Sequence, residues 1–209
     1  MSADARLATI AVGMTGASGA QYGLRLIECL VRAERHVQLM LSKPAQLVIA
    51  SETDLRLPGR PTEMARVLSE HFGTPRERLE VFGPDEWTAP LASGSGAPAA
   101  MVVCPCSMAT LSSIAAGASR SLMERAADVV IKERRKLILV PRETPFSAIH
   151  LENMLKLVRI GVVMLAANPG FYHRPQDLAA LVDFVVARIL DHLGIEHELV
   201  ARWGSEAAE

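Results

Sequence analysis

The chain has 209 residues, half of them hydrophobic, and its 22 basic and 23 acidic residues give a net charge of −1. This balance excludes a global field that would attract nucleic acid or an anionic membrane surface, and no apolar run approaches the roughly 20 residues that span a bilayer. The odd number of cysteines and a start unlike a secretory signal predict reduced thiols and a cytoplasmic location. The length predicts one domain over residues 1–209.

Short apolar runs alternate with longer stretches of helical periodicity along the chain. Six runs predict strands, in the order LATIAV, HVQLML, RLEVF, AAMVVC, KLILV and GVVML. Seven stretches predict helices: AQYGLRLIECLVRAE, PAQLVIASE, TEMARVLSEHF, SMATLSSIAAGA, SLMERAADVVIKERR, AIHLENMLKLVRI and PQDLAALVDFVVARILDHL. Strands that are apolar throughout are typical of a parallel sheet covered on both faces. The alternation predicts a Rossmann-like, doubly wound fold, a three-layer α/β/α sandwich around a mostly parallel sheet.

The first strand leads into a glycine-rich loop that opens a helix. Its glycines follow the spacing G-x-x-G-x-x-G at Gly13, Gly16 and Gly19, which matches neither a dinucleotide fingerprint nor a P-loop. Backbone N–H groups at the helix start would favour an anion, and Thr15 and Ser18 could add hydroxyl donors. Close packing of strand on helix explains the glycines equally well. Both interpretations stay open at this point.

Two further loops place hydroxyl groups after strands. Ser42 either caps the helix that follows it or contacts a ligand, and capping is favoured. In VVCPCSMATL, Ser107 and Thr110 lie in the first turn of the next helix. Cys104 and Cys106 form only a C-x-C pair, short of the usual four zinc ligands, and we predict no metal site.

Charged residues concentrate in two later segments. Arg125, Asp128 and Lys132 fall at helical spacings on one face, which favours a solvated salt-bridged surface, with phosphate binding as the alternative. Arg142 and Glu143 directly follow an apolar strand and are held between two prolines. Arginine suits bidentate phosphate binding and glutamate suits proton transfer, so this pair predicts a ligand site.

Three segments remain. The turn NPGFYHRPQD exposes Tyr172 and His173. Arg188 lies at the margin of the apolar stripe of the last helix, where it either reaches solvent or meets a neighbouring subunit or an anionic ligand. The stretch ASGSGAP, residues 92–98, predicts a mobile loop that could cover the site, with an ordinary flexible linker as the alternative.

Taken together, four segments strongly resemble the flavin prenyltransferase (UbiX) family: MTGASGAQYG, CPCSMATL, RAADVVIKERRKLILVPRETPFSAIHLENMLKL and PGFYHRPQDLAALVDFVVARIL. The resemblance covers about residues 9–203. It implies a flavodoxin-like FMN-binding domain with a C-terminal helix and tail. The implied activity joins a dimethylallyl group from dimethylallyl phosphate to N5 and C6 of reduced FMN. Prenylated FMN would then serve a UbiD-type decarboxylase in ubiquinone biosynthesis, and the family implies a dodecamer with sites between subunits.

The resemblance also implies roles for individual residues. Flavin contacts are expected from Gly16, Ala17, Ser18, Ser42, Ser107, Met108, Ala109, Thr110 and Arg142. The allylic phosphate and the allyl group are expected to contact Arg125, Lys132, Glu143, Tyr172, Arg188, Trp87 and Trp203. The implied catalytic set is Glu143, Ser18, Lys132, Tyr172 and Glu52, with Glu143 relaying a proton. A solvated charge is the alternative for Glu52, as is a core or lid role for the tryptophans.

Cationic side chains would take the place of a metal in stabilising the departing phosphate. Two rival functions stay open. One is an FMN-dependent decarboxylase of a cysteine-containing peptide or of pantothenoylcysteine phosphate, although the Pro-x-Met-Asn clasp of those relatives is not found in the sequence. The other is a non-catalytic carrier that hands FMN to a partner.

Overall fold

The computed structural model describes residues 9–201, and its centre is a six-stranded sheet. The strands are β1 (Thr9–Met14), β2 (His36–Leu41), β3 (Leu79–Phe82), β4 (Ala100–Cys106), β5 (Lys136–Pro141) and β6 (Val163–Met164). They lie in the order β3-β2-β1-β4-β5-β6, and every neighbouring pair is parallel. This confirms the doubly wound fold, with a sheet that is parallel throughout its described length.

Seven α-helices cover the two faces of the sheet in the described part of the chain. They are α1 (Ala20–Arg32), α2 (Lys43–Glu52), α3 (Pro61–Phe72), α4 (Met108–Ala115), α5 (Leu122–Lys132), α6 (Ala148–Arg159) and α7 (Leu178–Leu193). One core cluster joins the sheet to α1, α2, α3 and α7, and a second joins it to α4, α5 and α6. Among these helices none is long and apolar enough to cross a bilayer.

The core is built from aliphatic side chains, as the low aromatic content predicts. On one face Leu26 and Ile27 of α1 are fully buried against the sheet, and on the other Val130 of α5 packs with Leu139 of β5. Strands β1 and β4 are buried along their whole length. Burial on both faces explains why these strands show no alternation of polar and apolar residues.

Polar caps set where several helices begin. The side chains of Ser42, Ser107, Ser121, Ser147 and Asp177 each accept a backbone N–H from the first turn of the helix that follows. Asp177 explains why α7 begins at Leu178 and not at Pro175, where the sequence pattern had placed its start. Ser42 and Ser107 directly follow β2 and β4, so these caps bring hydroxyl groups to the carboxyl edge of the sheet.

Candidate functional site

The strand order reverses between β1 and β4, and the loops that follow these strands meet at the carboxyl edge of the sheet. In open parallel sheets ligands bind in the crevice at this switch point. The structure therefore places the glycine loop and the Ser107 loop, both predicted from the sequence, on the two sides of one crevice. Arg142 lies at the same edge, because its backbone N–H donates to the carbonyl of Cys106 (3.3 Å).

Thr15 ties the two sides of the crevice together. Its hydroxyl donates to the carbonyl of Pro105 (2.8 Å) and accepts the backbone N–H of Ser107 (2.7 Å), and the residue is only 2% exposed. From its place in the glycine loop, Thr15 was expected to donate its hydroxyl to a ligand. That expectation is wrong for this structure, since the hydroxyl is buried and both of its bonds are made to the neighbouring loop.

A carboxylate of the chain occupies the N-terminal end of α1. Glu52, at the end of α2, accepts the backbone N–H of Gly19 (2.9 Å) and that of Ala20 (2.9 Å). These are the groups that would hold an anion at a helix start. The glycine loop is therefore not an open phosphate cradle, and Glu52 is not the solvated charge of the alternative interpretation.

The environment of Glu52 favours its ionised form. Partial burial by itself raises the pKa of Glu52. Hydrogen bonds from the Ser18 hydroxyl and from the two backbone groups outweigh burial, and the nearby Arg142 charge adds to them, so the pKa lies below its ordinary value. The Arg142 guanidinium also donates through Nε to the carbonyl of Ser18 (3.2 Å). Ser18, Glu52 and Arg142 thus form one connected group.

The glycines of the first loop serve close packing. A side chain on Gly23 would collide with the carbonyl of Cys104, and one on Gly16 would lie 2.5 Å from Cβ of Pro44. Gly19 has a φ of +104°, a conformation that side-chain-bearing residues rarely adopt. The packing interpretation is therefore supported for Gly16 as well as for Gly23, and Gly16 and Ser18 still expose surface on this loop.

The hydroxyl groups at the other loops act first as caps. Ser42 accepts the backbone N–H of Ala45 (3.1 Å), as the favoured interpretation predicted, and this leaves its own hydrogen to be donated. Ser107 accepts the backbone N–H of Thr110 and donates to the Thr110 hydroxyl (3.2 Å). Of the expected flavin contacts in this turn, Met108 is buried, Ala109 is exposed, and Ser107 and Thr110 are partly exposed.

Glu143 follows Arg142 at the end of β5, in a loop whose Thr144–Pro145 peptide bond is cis. Its carboxylate is partly exposed and accepts the backbone N–H of Thr144 (3.1 Å). This bond engages one carboxylate oxygen and leaves the second oxygen available. Ser18, Glu52, Arg142 and Glu143 therefore lie at one edge of the sheet.

Two expected site residues lie elsewhere in the same chain. Arg125 and Lys132 belong to α5, which ends where β5 begins, at the amino edge of the sheet. Arg125 pairs with Asp128 (2.8 Å) and donates to the carbonyl of Ala92 (3.1 Å), while Lys132 pairs with Glu133. The predicted face of α5 is thus correct, but one chain alone does not bring Lys132 to the crevice.

The segment 92–98 lies at the same amino edge. It contains a short 3₁₀ helix, Gly94–Gly96, and a side chain on Gly94 would collide with Glu133. Ala97 and Pro98 are buried. The prediction of a loop that covers the site is wrong within one chain, because this segment feeds into the start of β4, opposite the crevice.

Tyr172 and Arg188 come together, although 16 positions separate them in the sequence. Both line a cavity of about 380 Å³ beside α7, with Phe184 and Asp191. Arg188 pairs with Asp191 on its own helix, and Tyr172 meets the ring of Phe184 edge-on at 5.6 Å. Lys132 instead lines a second cavity of about 600 Å³, with Arg134, Arg135 and Arg159. The expected trio is therefore split between two places.

Comparison with known proteins agrees with this geometry. The sequence profile of the Flavoprotein family matches residues 2–190. The chain is 60% identical over 197 residues to the flavin prenyltransferase UbiX of Pseudomonas aeruginosa, which covers 94% of each chain. This chain belongs to the flavin prenyltransferase family.

Solved structures of UbiX-type proteins have the same fold. A crystal structure of AnUbiX (PadA1) in complex with FMN and dimethylallyl pyrophosphate superposes with a TM-score of 0.84 at 37% identity, over 95% of this chain and 98% of that one. A dodecameric FMN-dependent UbiX-like decarboxylase from Escherichia coli O157:H7 gives 0.82 at 42% identity, over 94% and 100%. These likenesses confirm that the flavodoxin-like fold is that of FMN-binding flavoproteins.

In this member of the flavin prenyltransferase family, two tryptophans were expected to line the space for the allyl group, and His173 is a further ring beside Tyr172. Trp87, in the β3–β4 connection, is 47% exposed, and Trp203 lies outside the described residues. His173 stacks on Phe184 at 5.3 Å, and neither of its buried ring nitrogens has a hydrogen-bond partner among residues 9–201. The sequence analysis named His173 only as exposed and gave it no role.

Proposed function

We propose that this chain is a flavin prenyltransferase that joins the dimethylallyl group of dimethylallyl phosphate to N5 and C6 of reduced FMN. The observation that carries the proposal is the 60% identity to a flavin prenyltransferase over nearly the full length of both chains. The fold shared with a protein crystallised with FMN and dimethylallyl pyrophosphate supports it. We also propose that residues 1–209 form one FMN-binding domain with a C-terminal helix and tail.

The residues at the crevice fit a flavin. Exposed Gly16 and Ser18 on one side face a loop with exposed Ala109 and the hydroxyl of Thr110, which offers a small-residue surface for a planar ring. Ser42 can donate its hydroxyl hydrogen, and Arg142 supplies a guanidinium. The set of donors is chiefly neutral, which suits ring carbonyls and ring nitrogens. Gly16, Ala17, Ser18, Ser42, Arg142 and the turn 107–110 would hold the flavin.

Bound reduced FMN supplies the nucleophilic N5 and C6 positions. The protein's contribution is to help the donor lose its phosphate, which leaves readily only when its developing negative charge is neutralised. Arg142, Arg125, Lys132 and Arg188 with Tyr172 form the set of cations and hydroxyl that we assign to this role. The Arg142 guanidinium, already held by the carbonyl of Ser18, needs little reorganisation. Trp87 and Trp203 would line the space for the allyl group.

Two carboxylates take different roles in this proposal. Glu143, partly exposed and with one oxygen unengaged by its Thr144 bond, relays a proton to the departing phosphate or from the flavin. Glu52 stays ionised, because its hydrogen bonds and the Arg142 charge outweigh its burial. It therefore acts by fixing Ser18 beside the N5 edge rather than by moving a proton. A neutral Gln at position 143 would keep the shape and lose this proton transfer.

We further propose a homo-oligomer in which the site forms between subunits, with the dodecamer as the assembly. The split within one chain between the crevice and the cavities of Lys132 and of Arg188 supports this, because the missing cations must come from a neighbouring copy. The reported dodecamer of the E. coli relative supports it as well. The product would pass to a UbiD-type decarboxylase. The free thiols of Cys29, Cys104 and Cys106 fit a cytoplasmic location.

The test mixes protein, reduced FMN and dimethylallyl phosphate without oxygen, and then weighs the extracted flavin. We expect a gain of one dimethylallyl unit with the native chain. Glu143→Gln should bind FMN and lose at least about 100-fold in rate, the range of a general acid or base. Glu70→Gln is the matched control, because the Glu70 side chain lies exposed on the surface of α3, and this variant should keep the native rate.

The rival functions give different results in the same assay. Bound FMN that is never modified but passes to an acceptor protein, equally with native and Glu143→Gln chains, would overturn the proposal in favour of a carrier. Because one relative is described as an FMN-dependent decarboxylase, cysteine-containing peptide is supplied in a parallel reaction. Release of carbon dioxide with unmodified flavin would overturn the proposal in favour of a decarboxylase.

Sites between subunits can be tested by mixing two inactive variants. Glu143→Gln and Lys132→Ala chains are each expected to be inactive, and co-expression in equal amounts should restore about a quarter of the sites if assembly is random. The reason is that a working site then takes its acid from one chain and its lysine from another. If the hybrid stays inactive, both residues act within one chain, and if Lys132→Ala alone keeps its activity, Lys132 has no role.

A further inference from the structure

The turn that follows α7 brings a histidine back to the helix, beside the pair of Arg188 and Asp191. Gly194 ends α7 with a φ of +68°, and the next residue, Ile195, is buried in the core. The chain reverses there, so that His197 meets Asp191, six positions earlier in the sequence. Nε2 of His197 lies 3.2 Å from Oδ1 of Asp191, and the His197 side chain is only 9% exposed.

Hydrogen bonds on both sides of His197 assign a role to each ring nitrogen. The backbone N–H of Leu199 donates to Nδ1 of His197 (3.4 Å), so Nδ1 carries no hydrogen. The hydrogen of the neutral ring is therefore on Nε2, which donates to Asp191. The other carboxylate oxygen of Asp191 accepts Nη1–H of Arg188. A continuous series of hydrogen bonds thus runs from the backbone of Leu199 to the guanidinium of Arg188.

This series holds a side chain that would otherwise be mobile. Arg188 is long and 53% exposed, and fixing such a side chain when a ligand binds costs affinity. The guanidinium has five N–H donors, so a carboxylate on Nη1 leaves others for a phosphate. Asp191 and His197 line the same cavity of about 380 Å³ as Arg188 and Tyr172. We propose that Asp191 and His197 are positioning residues that hold Arg188 ready for the phosphate of the donor. This role rests on the proposed function, which assigns Arg188 to that phosphate.

The negative charge of Asp191 acts against its positioning role, because it repels a phosphate. Asp191 is 34% exposed and its charge is paired with that of Arg188, so solvent screening and pairing weaken the repulsion. Substitution of Asp191 would change charge and position together. Substitution of the neutral His197 ring leaves the charges of the cavity unaltered, and His197 therefore gives the cleaner test.

The test measures the affinity for dimethylallyl phosphate by isothermal titration calorimetry, with the full chain loaded with oxidised FMN so that no turnover is needed. His197→Phe keeps a ring and removes the donor to Asp191, and the dissociation constant should rise about 3- to 10-fold, the factor for ordering one long side chain. His197→Gln loses the ring but can place an amide N–H near the position of Nε2, and its affinity should stay within about twofold of the native value. His71→Phe, the same change at an exposed position on α3, is the matched control and should keep the native affinity.

The order of the two His197 variants separates positioning from packing. Thermal unfolding of both variants shows which one disturbs the fold more, and a purely structural role would weaken donor binding in that same order. A positioning role instead predicts weaker binding by the Phe variant, whichever variant melts lower. Equal affinities for the Phe and Gln variants would overturn the proposal.

A double-mutant cycle tests whether His197 acts through Arg188. If it does, adding His197→Phe to Arg188→Ala should weaken donor binding no further, and additive losses would overturn the proposal. Absence of donor binding by the native chain would overturn it as well. Donor binding with the expected pattern, but without prenylated flavin once the FMN is reduced, would overturn the proposed function and leave the positioning role intact.

Discussion

The hydroxyl of Thr15 offers the sharpest test of how the crevice is held. Replacing Thr15 by Val keeps the shape of the side chain and removes both hydrogen bonds to the β4 loop. The N–H of Ser107 then loses its 2.7 Å acceptor in a partly buried place, while the carbonyl of Pro105 keeps the backbone N–H of Thr15 at 3.2 Å. The N–H of Ser107 left without an acceptor and the loss of one of the two hydrogen bonds to the Pro105 carbonyl should together lower the free energy of unfolding by about 2–4 kcal/mol.

For a chain of this size each kcal/mol lowers the melting temperature by about 2–4 °C, so Thr15→Val should melt about 4–16 °C below the native protein. Thr15→Ser is the matched control. It keeps the hydroxyl and loses one methyl group, a change of about 1 kcal/mol. The assay is thermal unfolding of FMN-free protein followed by circular dichroism. Because the same bonds set the two sides of the crevice, FMN affinity measured by fluorescence quenching should fall in Thr15→Val and recover in Thr15→Ser.

A Val variant that melts no lower than the Ser variant would refute this reasoning, since the loss of the two hydrogen bonds should outweigh the loss of one methyl group. Unchanged FMN affinity in a destabilised Val variant would separate the two effects. It would show that the bridge stabilises the fold without positioning the loops for flavin.

Three further predictions follow from other groups. The pKa of Glu52 in the folded protein lies below the ordinary 4.5, so the stability that its ionised form contributes is present above pH 4.5 and is lost as the pH falls through the folded pKa. Glu52→Gln should therefore reduce the fall in the free energy of unfolding at acid pH. Parallel curves of unfolding free energy against pH for the native and variant chains would contradict this. The Arg25 guanidinium on α1 donates to both carboxylate oxygens of Asp183 on α7, at 2.7 and 3.1 Å. Asp183→Asn should lower the free energy of unfolding, measured by urea titration, by about 1 kcal/mol. An unchanged free energy of unfolding would show that this ion pair does not stabilise the fold. Burial raises the pKa of the Cys29 thiol to about 11 and that of Cys106 to about 12, and it raises the pKa of Cys104 as well. Native protein at pH 8 should therefore react slowly with a thiol reagent, and Cys29 should react first. Rapid labelling of two thiols would contradict this prediction.

The helices and strands could be predicted from the sequence because their signals are local. Strands β2 and β5 begin where the apolar runs His36–Leu41 and Lys136–Pro141 begin, and helix α2 follows the Ser42-Lys-Pro cap signal. The errors lie at the ends of elements, as at α7, where the helix capped by Asp177 begins three residues after the predicted stretch. Edge strand β6 is only two residues long, and among the strands of the sheet it pairs with β5 alone.

Long-range contacts explain what the sequence could not reveal about the site. The carboxylate of Glu52 reaches the start of α1 across more than 30 positions, and the Thr15 hydroxyl reaches a loop 90 positions away. No spacing rule links such residues. Tyr172 and Arg188 were each singled out from the sequence, but only the family resemblance joined them in one site. The i, i+3 spacing of Arg188 and Asp191 on α7 is a local signal that predicts the ion pair between these two residues.

The carboxylate at the start of α1 has a practical consequence for solution work. Because Glu52 already neutralises that helix end, small buffer oxyanions such as sulfate or orthophosphate have little attraction to the glycine loop. Competition from such salts should therefore be felt where unbalanced guanidinium or ammonium groups lie, around Arg142 and in the cavity of Lys132 and its neighbouring arginines. Choosing chloride or zwitterionic buffers would keep those places free during measurements.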